Sequence, residues 1–262
     1  MLINAAHLKG LAIRAADGEL GTVDQLYFDD GSWAIRYLTV DTGGWLGGRQ
    51  VLISPFSVIH ADWHAKRLEV ALTKEQVKNS PDINTHQPVS RQQEAEYNLY
   101  YGYPYYWGGP YLWGPEVYPS GFALGTKASV EAMAERIERA KDSHLRSSGA
   151  VNGYSIEASN GDIGHVDGYV VDDQSWTIRY IEVATRNWWP GKKVLVAPAW
   201  IEQVSWADSK VYTSLTREAI KGGPEYVESM PVTREYEDRL YSHYGRPPYW
   251  LQGAEHLSLS GV

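Results

Sequence analysis

The chain has 262 residues, with 24 Lys plus Arg against 32 Asp plus Glu, a formal charge of -8, 43% apolar residues and no cysteine. That length allows one large domain or two small ones, and the apolar content supports packed cores. The composition excludes a disulfide framework, a thiolate zinc site and a cysteine nucleophile, and the mild acid excess argues against polyanion binding through clustered cations.

No window approaches the roughly 20 consecutive apolar residues of a membrane-spanning helix. The opening MLINAAHLKGLAIRAADGE lacks a basic segment followed by an uninterrupted apolar run, so no signal peptide is expected and a cytoplasmic location is.

Shifting the chain by about 143 positions aligns residues 8–107 with 151–250 without a gap, and about 36 of those roughly 100 positions are identical. ADGELGTVDQLYFDDGSWAIRYLTVDT faces SNGDIGHVDGYVVDDQSWTIRYIEVAT, and YYGYPYYW faces HYGRPPYW at the far end. The chain is a tandem duplication, so each element of one copy can be checked against the other.

In chain order, residues 11–15 read as a short strand ended by Asp17-Gly18, with Asn160-Gly161 as the counterpart; both are two-residue hairpin signals. Residues 21–28 return, Asp29-Asp30-Gly31-Ser32 turns again, and residues 33–42 form a strand rich in β-branched and aromatic side chains. A Gly/Trp loop at 43–48 leads into a strand over 50–54, which Pro55 limits. Residues 58–62 and 67–72 form a closing hairpin, and Thr73 caps a short helix over 74–79. Five or six short strands at this spacing predict a small closed β-barrel, and a mainly β fold class. Residues 97–119, dense in Tyr, Trp, Gly and Pro, read as an extended or turn-rich arm, not a helix. Residues 127–142 place Val130, Met133, Ala134, Ile137 and Ala140 on one face, the spacing of an amphipathic helix. The organisation is therefore a first repeat with its arm at 1–107, a connector at 108–150, a second repeat with its arm at 151–250 and a tail at 251–262.

The run G-x-x-[IL]-G-x-V-x-x-[YV]-[YV]-[FV]-D-D-x-x-W-x-I-R-Y-[LI]-x-V, then [KR]-x-V-L-[IV]-[SA]-P, stands at 18–55 and again at 161–198. It resembles the PRC-barrel domain, over roughly 75 residues of each half. The resemblance implies two small β-barrels similar to the cytoplasmic domain of the photosynthetic reaction-centre H subunit and to the C-terminal domain of the ribosome maturation factor RimM. It implies a docking or assembly role and supplies no catalytic residues. The H subunit's transmembrane helix and RimM's different N-terminal domain have no counterpart here, so neither activity transfers by fold alone.

Asp24 with Arg36, and Asp167 with Arg179, are expected to form cross-strand ion pairs. Asp29-Asp30 and Asp172-Asp173 fit turn chemistry and lack the ligand spacing of a calcium loop. His60 and His64 face Gln203 and Ala207 in the other copy, so no metal is expected there. Ser54 and Ser57 lack a nucleophile-elbow context, and the 43–48 loop precedes no helix that could cradle phosphate. Tyr101, Tyr103, Tyr106, Trp107, Tyr244, Tyr249 and Trp250 are candidate interface anchors, the alternative being that each arm folds over its own barrel.

The expectation is a non-enzymatic docking or scaffold protein that binds a protein partner or itself, with no cofactor, no metal and no small-molecule ligand. The alternatives are a RimM-like RNA- or ribosome-associated factor and a peripheral assembly factor of a photosynthetic or membrane complex. Nucleic acid is not an expected partner, and peripheral association with a membrane complex needs no insertion.

Overall fold

In the computed structural model, which describes residues 1–82, 89–121, 144–185 and 192–251, the first hairpin forms where Asp17-Gly18 marks it. β2 (Ala12–Ala15) turns into β3 (Gly18–Asp29), with Ala15 opposite Gly18. The Asp17 carboxylate then accepts the Lys74 backbone N–H at 2.9 Å, tying this turn to the start of α1 (Lys74–Lys78). Asn160 repeats the contact, accepting from the Arg217 N–H at 2.8 Å at the start of α4 (Arg217–Gly222). Thr73 forms the expected N-cap of α1, in a capping box with Gln76.

β3 is long and twisted, and pairs antiparallel with β4 (Ile35–Asp41), which pairs with β5 (Gln50–Ile53). Pro55 ends β5 in a 3₁₀ turn, and β6 (Val58–Asp62) and β7 (Arg67–Val70) make the expected closing hairpin. β7 lies parallel to β2, with Ile13 opposite Leu68. The strand order is β5-β4-β3-β2-β7-β6, with β8 (Leu145–Ser147) added to β3. The expected closed barrel is corrected here: no ladder joins β5 to β6 among the described residues, and each sheet stays open.

The second sheet repeats the plan. β9 (Ser155–Ala158), β10 (Gly161–Asp172), β11 (Thr177–Thr185), β12 (Lys193–Val196), β13 (Ile201–Ser205) and β14 (Lys210–Thr213) follow in the same sequence. Their order is β13-β14-β9-β10-β11-β12, extended by β15 (Glu225–Tyr226) on β12, while β1 (Leu2–Asn4) pairs with β10. The chain divides into two compact units. One comprises Met1, Ala5–Val151 and Val171–Ile178; the other comprises Leu2–Asn4, Asn152–Val170 and Arg179–Val262.

Ile13, Leu20, Phe28, Ile35, Leu38 and Leu68 fill the first core, and Val166, Val170, Tyr180, Val183, Val194 and Leu195 the second. Trp33, expected to open β4, instead sits in the turn at φ 58°, and its repeat mate Trp176 at φ 54°. A left-handed Trp is strained; at Trp33 the cost is offset by stacking on Phe28 at 5.3 Å and by its N–H bonding to Asp29 O at 2.7 Å. Lys66 and Ser209 are also left-handed, at φ 50° and 55°. Lys66→Gly and Ser209→Gly should therefore each stabilise by up to about 1 kcal/mol. Urea midpoints check this, and a loss of stability in both variants would contradict it.

The arms differ from expectation. α2 (Arg91–Tyr101) runs through the first residues of the aromatic tract, and α5 (Arg234–Tyr244) repeats it. The aromatic tract on its own has no helical pattern. The helix starts upstream, where Ser90 and Gln93 form a capping box, and carries through to Tyr101 before Gly102 ends it at φ 72°. Beyond Gly102 the arm is turn-rich, as read. The connector helix expected over 127–142 lies outside the described residues. α3 (Ser148–Val151) leads from β8 into the second repeat.

Candidate functional site

The expected pairing of Asp24 with Arg36 is not made. β3 and β4 place Gln25 opposite Thr39 and Tyr27 opposite Tyr37, so position 24 falls beside 39 and 40. The intervening loop spans residues 30–34, longer than a two-residue turn, and together with irregularities at 23–25 and 27–28 it moves the register. Asp24 instead meets Lys9 Nζ at 3.4 Å and accepts from Gln50 Nε2 at 3.1 Å. In the second copy Asp167 is engaged by Lys193, and the Arg179 guanidinium lies 4.2 Å over the Tyr249 ring.

Arg36 turns into a buried polar cage formed with its own arm. Its guanidinium stacks 3.7 Å from the Tyr106 ring centroid, and Nη1 donates to Leu112 O at 2.7 Å. At the centre is Glu94 of α2, fully buried. Its carboxylate accepts from the Tyr106 hydroxyl at 2.6 Å and the Tyr37 hydroxyl at 3.4 Å, and pairs with Arg91 Nη1 at 3.2 Å. Arg91 also donates to Tyr106 Oη at 2.7 Å and lies 4.2 Å over Trp107. Burial pushes the Glu94 carboxyl up to about 7, opposed by Arg91, by the Tyr106 hydrogen bond and by Arg36.

The second unit builds the same cage. Glu237 accepts from the Tyr180 hydroxyl at 2.7 Å and the Tyr249 hydroxyl at 3.1 Å, and pairs with Arg234 at 2.9 Å. Arg234 lies 3.9 Å over Trp250. The two cages differ in access: the Arg91 side chain is 6% exposed and Arg234 53%. These groups hydrogen-bond chiefly to one another, so the cage staples helix and arm to the sheet.

The candidate interface aromatics are mostly consumed in this way. Tyr101, Tyr103, Tyr106 and Tyr244 are buried, while Trp107, Tyr249 and Trp250 are half-buried. Tyr103 stacks between Tyr101 and Phe56 at 5.4 and 5.3 Å, and Tyr244 packs on Trp200 at 4.9 Å. The reading of these four as anchors for a partner is corrected: they pack within their own unit, Tyr106 in the polar cage and the other three against aromatic rings.

A second cluster belongs to the second unit alone. Asp167, Glu182 and Glu228 converge, a grouping whose oxygens could hold a cation, but the Lys193 ammonium contacts all three. Asn4 Nδ2 donates to Glu182 Oε1 at 2.6 Å. Burial works against the Lys193 charge, yet hydrogen bonds to Asp167 and Glu228 and the charges of Asp167 and Glu182 outweigh it and raise the Lys193 pKa. Burial pushes Glu182 up to about 7, opposed by Lys193. The counterparts in the first unit are Asp24, Thr39 and Gln50, where Asp24 and Gln50 form a neutral-donor hydrogen bond instead.

Glu182 binds its proton more tightly folded than unfolded, so its ionisation weakens the fold as pH rises from the unfolded value of 4.5 through about 7. The full effect is on the order of 3 kcal/mol. Glu182→Gln should remove this part of the decline in urea stability between acid and neutral pH; an unchanged pH profile would contradict it.

A groove of roughly 350 Å³ opens in the first unit, lined by Pro55, Val58, Ile59, Tyr118, Pro119 and Trp176 among others. Ile59 is 68% exposed and Tyr118 47%. One wall is β6, which among the described residues pairs only with β7. At the opposite end of the sheet the β5 edge is covered: the Tyr97 hydroxyl of α2 donates to Leu52 O at 3.0 Å and accepts from Ser54 N at 3.1 Å. His60 lies on the groove wall and is exposed. No metal-ligating cluster containing His60 or His64 occurs among the described residues.

The β2–β7 sheet with α1 and its Gly-Gly-Trp corner coincides with a family match over residues 2–77. Residues 2–77 match the PRC-barrel domain family. No curated protein matches the chain. The PRC-barrel match ends at α1, before the arm. Arg91 and Glu94, the residues that sequence reasoning missed, therefore lie beyond the matched residues. The signal was available in the duplication: Ser90-Arg91-x-x-Glu94 faces Thr233-Arg234-x-x-Glu237, keeping cap, Arg and Glu in both copies.

Proposed function

We propose that the protein is a non-enzymatic docking scaffold, in which a PRC-barrel domain and its duplicate serve protein association or self-association in the cytoplasm. The observation that carries the reading is the groove beside β6, where Ile59 and Tyr118 stay exposed while most arm aromatics are buried. Each Arg–Glu–Tyr cage supports a structural role, because its carboxylate is committed to hydroxyls and a guanidinium of its own unit. No helix among the described residues is long and apolar enough to cross a membrane. The net charge of -8 does not favour the RNA-associated alternative.

The test is affinity purification from the native cells with wild type and Ile59→Glu, which copies Glu202 of the other repeat. Partners recovered with wild type and lost with the variant are expected. Equal recovery would overturn docking through this face, and a partnerless monomer would overturn the docking role itself.

A further inference from the structure

We infer that the outer edge of β6 accepts an extended, uncharged apolar segment of a partner protein as an added β-strand, its side chains entering the adjoining groove. The inference rests on the docking reading and names the partner's chemistry. An edge strand presents main-chain N–H and C=O groups that another strand can satisfy. The duplication supplies an internal comparison. Both units end in an equivalent strand, β6 and β13, and β13 carries Glu202 and Gln203, exposed polar side chains of the kind that discourage edge pairing. β6 carries Ile59 and His60 at those positions, so the apolar side chain stands where its copy has a charge.

The charge of the groove selects the occupant further. Among the described residues its lining holds one carboxylate, Asp173, and no Lys or Arg. Asp173 is already engaged by the Met1 amino group and by Trp63 Nε1 at 3.2 Å. Among the described lining residues a charged segment finds no Lys, Arg or unengaged carboxylate, whereas Ile59, Tyr118 and Pro119 offer apolar contact. The volume suits side chains of a strand, since a helix is about 10–12 Å across with its side chains.

The probe is a blocked heptapeptide of alternating threonine and valine, titrated into the full chain and followed by amide NMR shifts. Beside it runs the same peptide with alternate backbone nitrogens methylated, which keeps the side chains and removes the strand's donors. The expected result is saturable shifts at the Ile59 and Ala61 amides, binding about tenfold tighter than the methylated peptide, and loss of binding in Ile59→Glu. Equal binding of the methylated peptide would overturn strand addition and leave groove docking standing. If neither peptide binds and light scattering shows a dimer that Ile59→Glu dissolves, the occupant is a second copy of the chain and the inference is wrong. If neither binds and the chain is monomeric, the inference also fails, while partner recovery from cells still decides the docking role independently.

Discussion

Glu94→Ala should cost about 3–5 kcal/mol at pH 8, because it leaves Arg91, only 6% exposed, buried beside Arg36 without its ion-pair partner. It also strands the Tyr37 and Tyr106 hydroxyls, both of which donate to Glu94. Glu237→Ala removes the same group from the second cage, yet Arg234 is 53% exposed and can turn to water. That variant should lose only about 1–2 kcal/mol. Urea denaturation of the two variants beside wild type measures the difference. Equal losses would show that burial of the arginine does not set the value of the cage.

Gly21→Ala and Gly164→Ala should be at least as damaging. A Cβ at Gly21 would lie 1.9 Å from Asp41 O, and one at Gly164 2.0 Å from Ala184 O. Both glycines have φ near +147°, at +146° and +148°, a region closed to L side chains. The carbonyl is backbone of the neighbouring strand and cannot swing aside, so each change must pull two strands apart, at a cost above about 4 kcal/mol. Gly10→Ala is the control: φ is +81° but nothing lies within 4 Å of its Cβ. It should cost about 1 kcal/mol, for strain alone. Circular dichroism and urea midpoints distinguish the three; a mild Gly21→Ala would mean that β3 and β4 separate easily.

The fold was legible wherever local chemistry decides it. Asp17-Gly18, Pro55 and Thr73 each act within a few residues, and turn, strand end and helix cap formed where they stand. The duplication made these readings secure by offering each one twice. Legibility stopped at register and tertiary reach. Reading the register around Asp24 and Arg36 required the length of the 30–34 loop, in which Trp33 turns left-handed. Arg36 instead finds its partners some seventy residues on, at Tyr106 and Leu112.

The arm was misread for a related reason. Gly, Pro and Tyr dominate residues 102–113, and their turn signal masked a helix that begins in the polar stretch after Ser90. That stretch has little amphipathic pattern because it buries Arg91, Glu94 and Asn98 as well as Tyr97 and Tyr101. Hydrophobic periodicity cannot reveal a helix whose inner face is partly polar. Identity between the copies could have, since Arg91 and Glu94 recur as Arg234 and Glu237. The groove and the β6 edge were beyond sequence reading, because they depend on which edge the arm covers.

Edge strands with an exposed apolar residue invite partners, and the second repeat carries Glu202 where the first carries Ile59. The most direct measurement places a benzophenone photo-crosslinking amino acid at position 59, and in a separate strain at position 202, in the native cells. A discrete crosslinked partner is expected at position 59 and none at 202. Crosslinks from both positions alike, or from 202 alone, would contradict docking through β6 of the PRC-barrel domain.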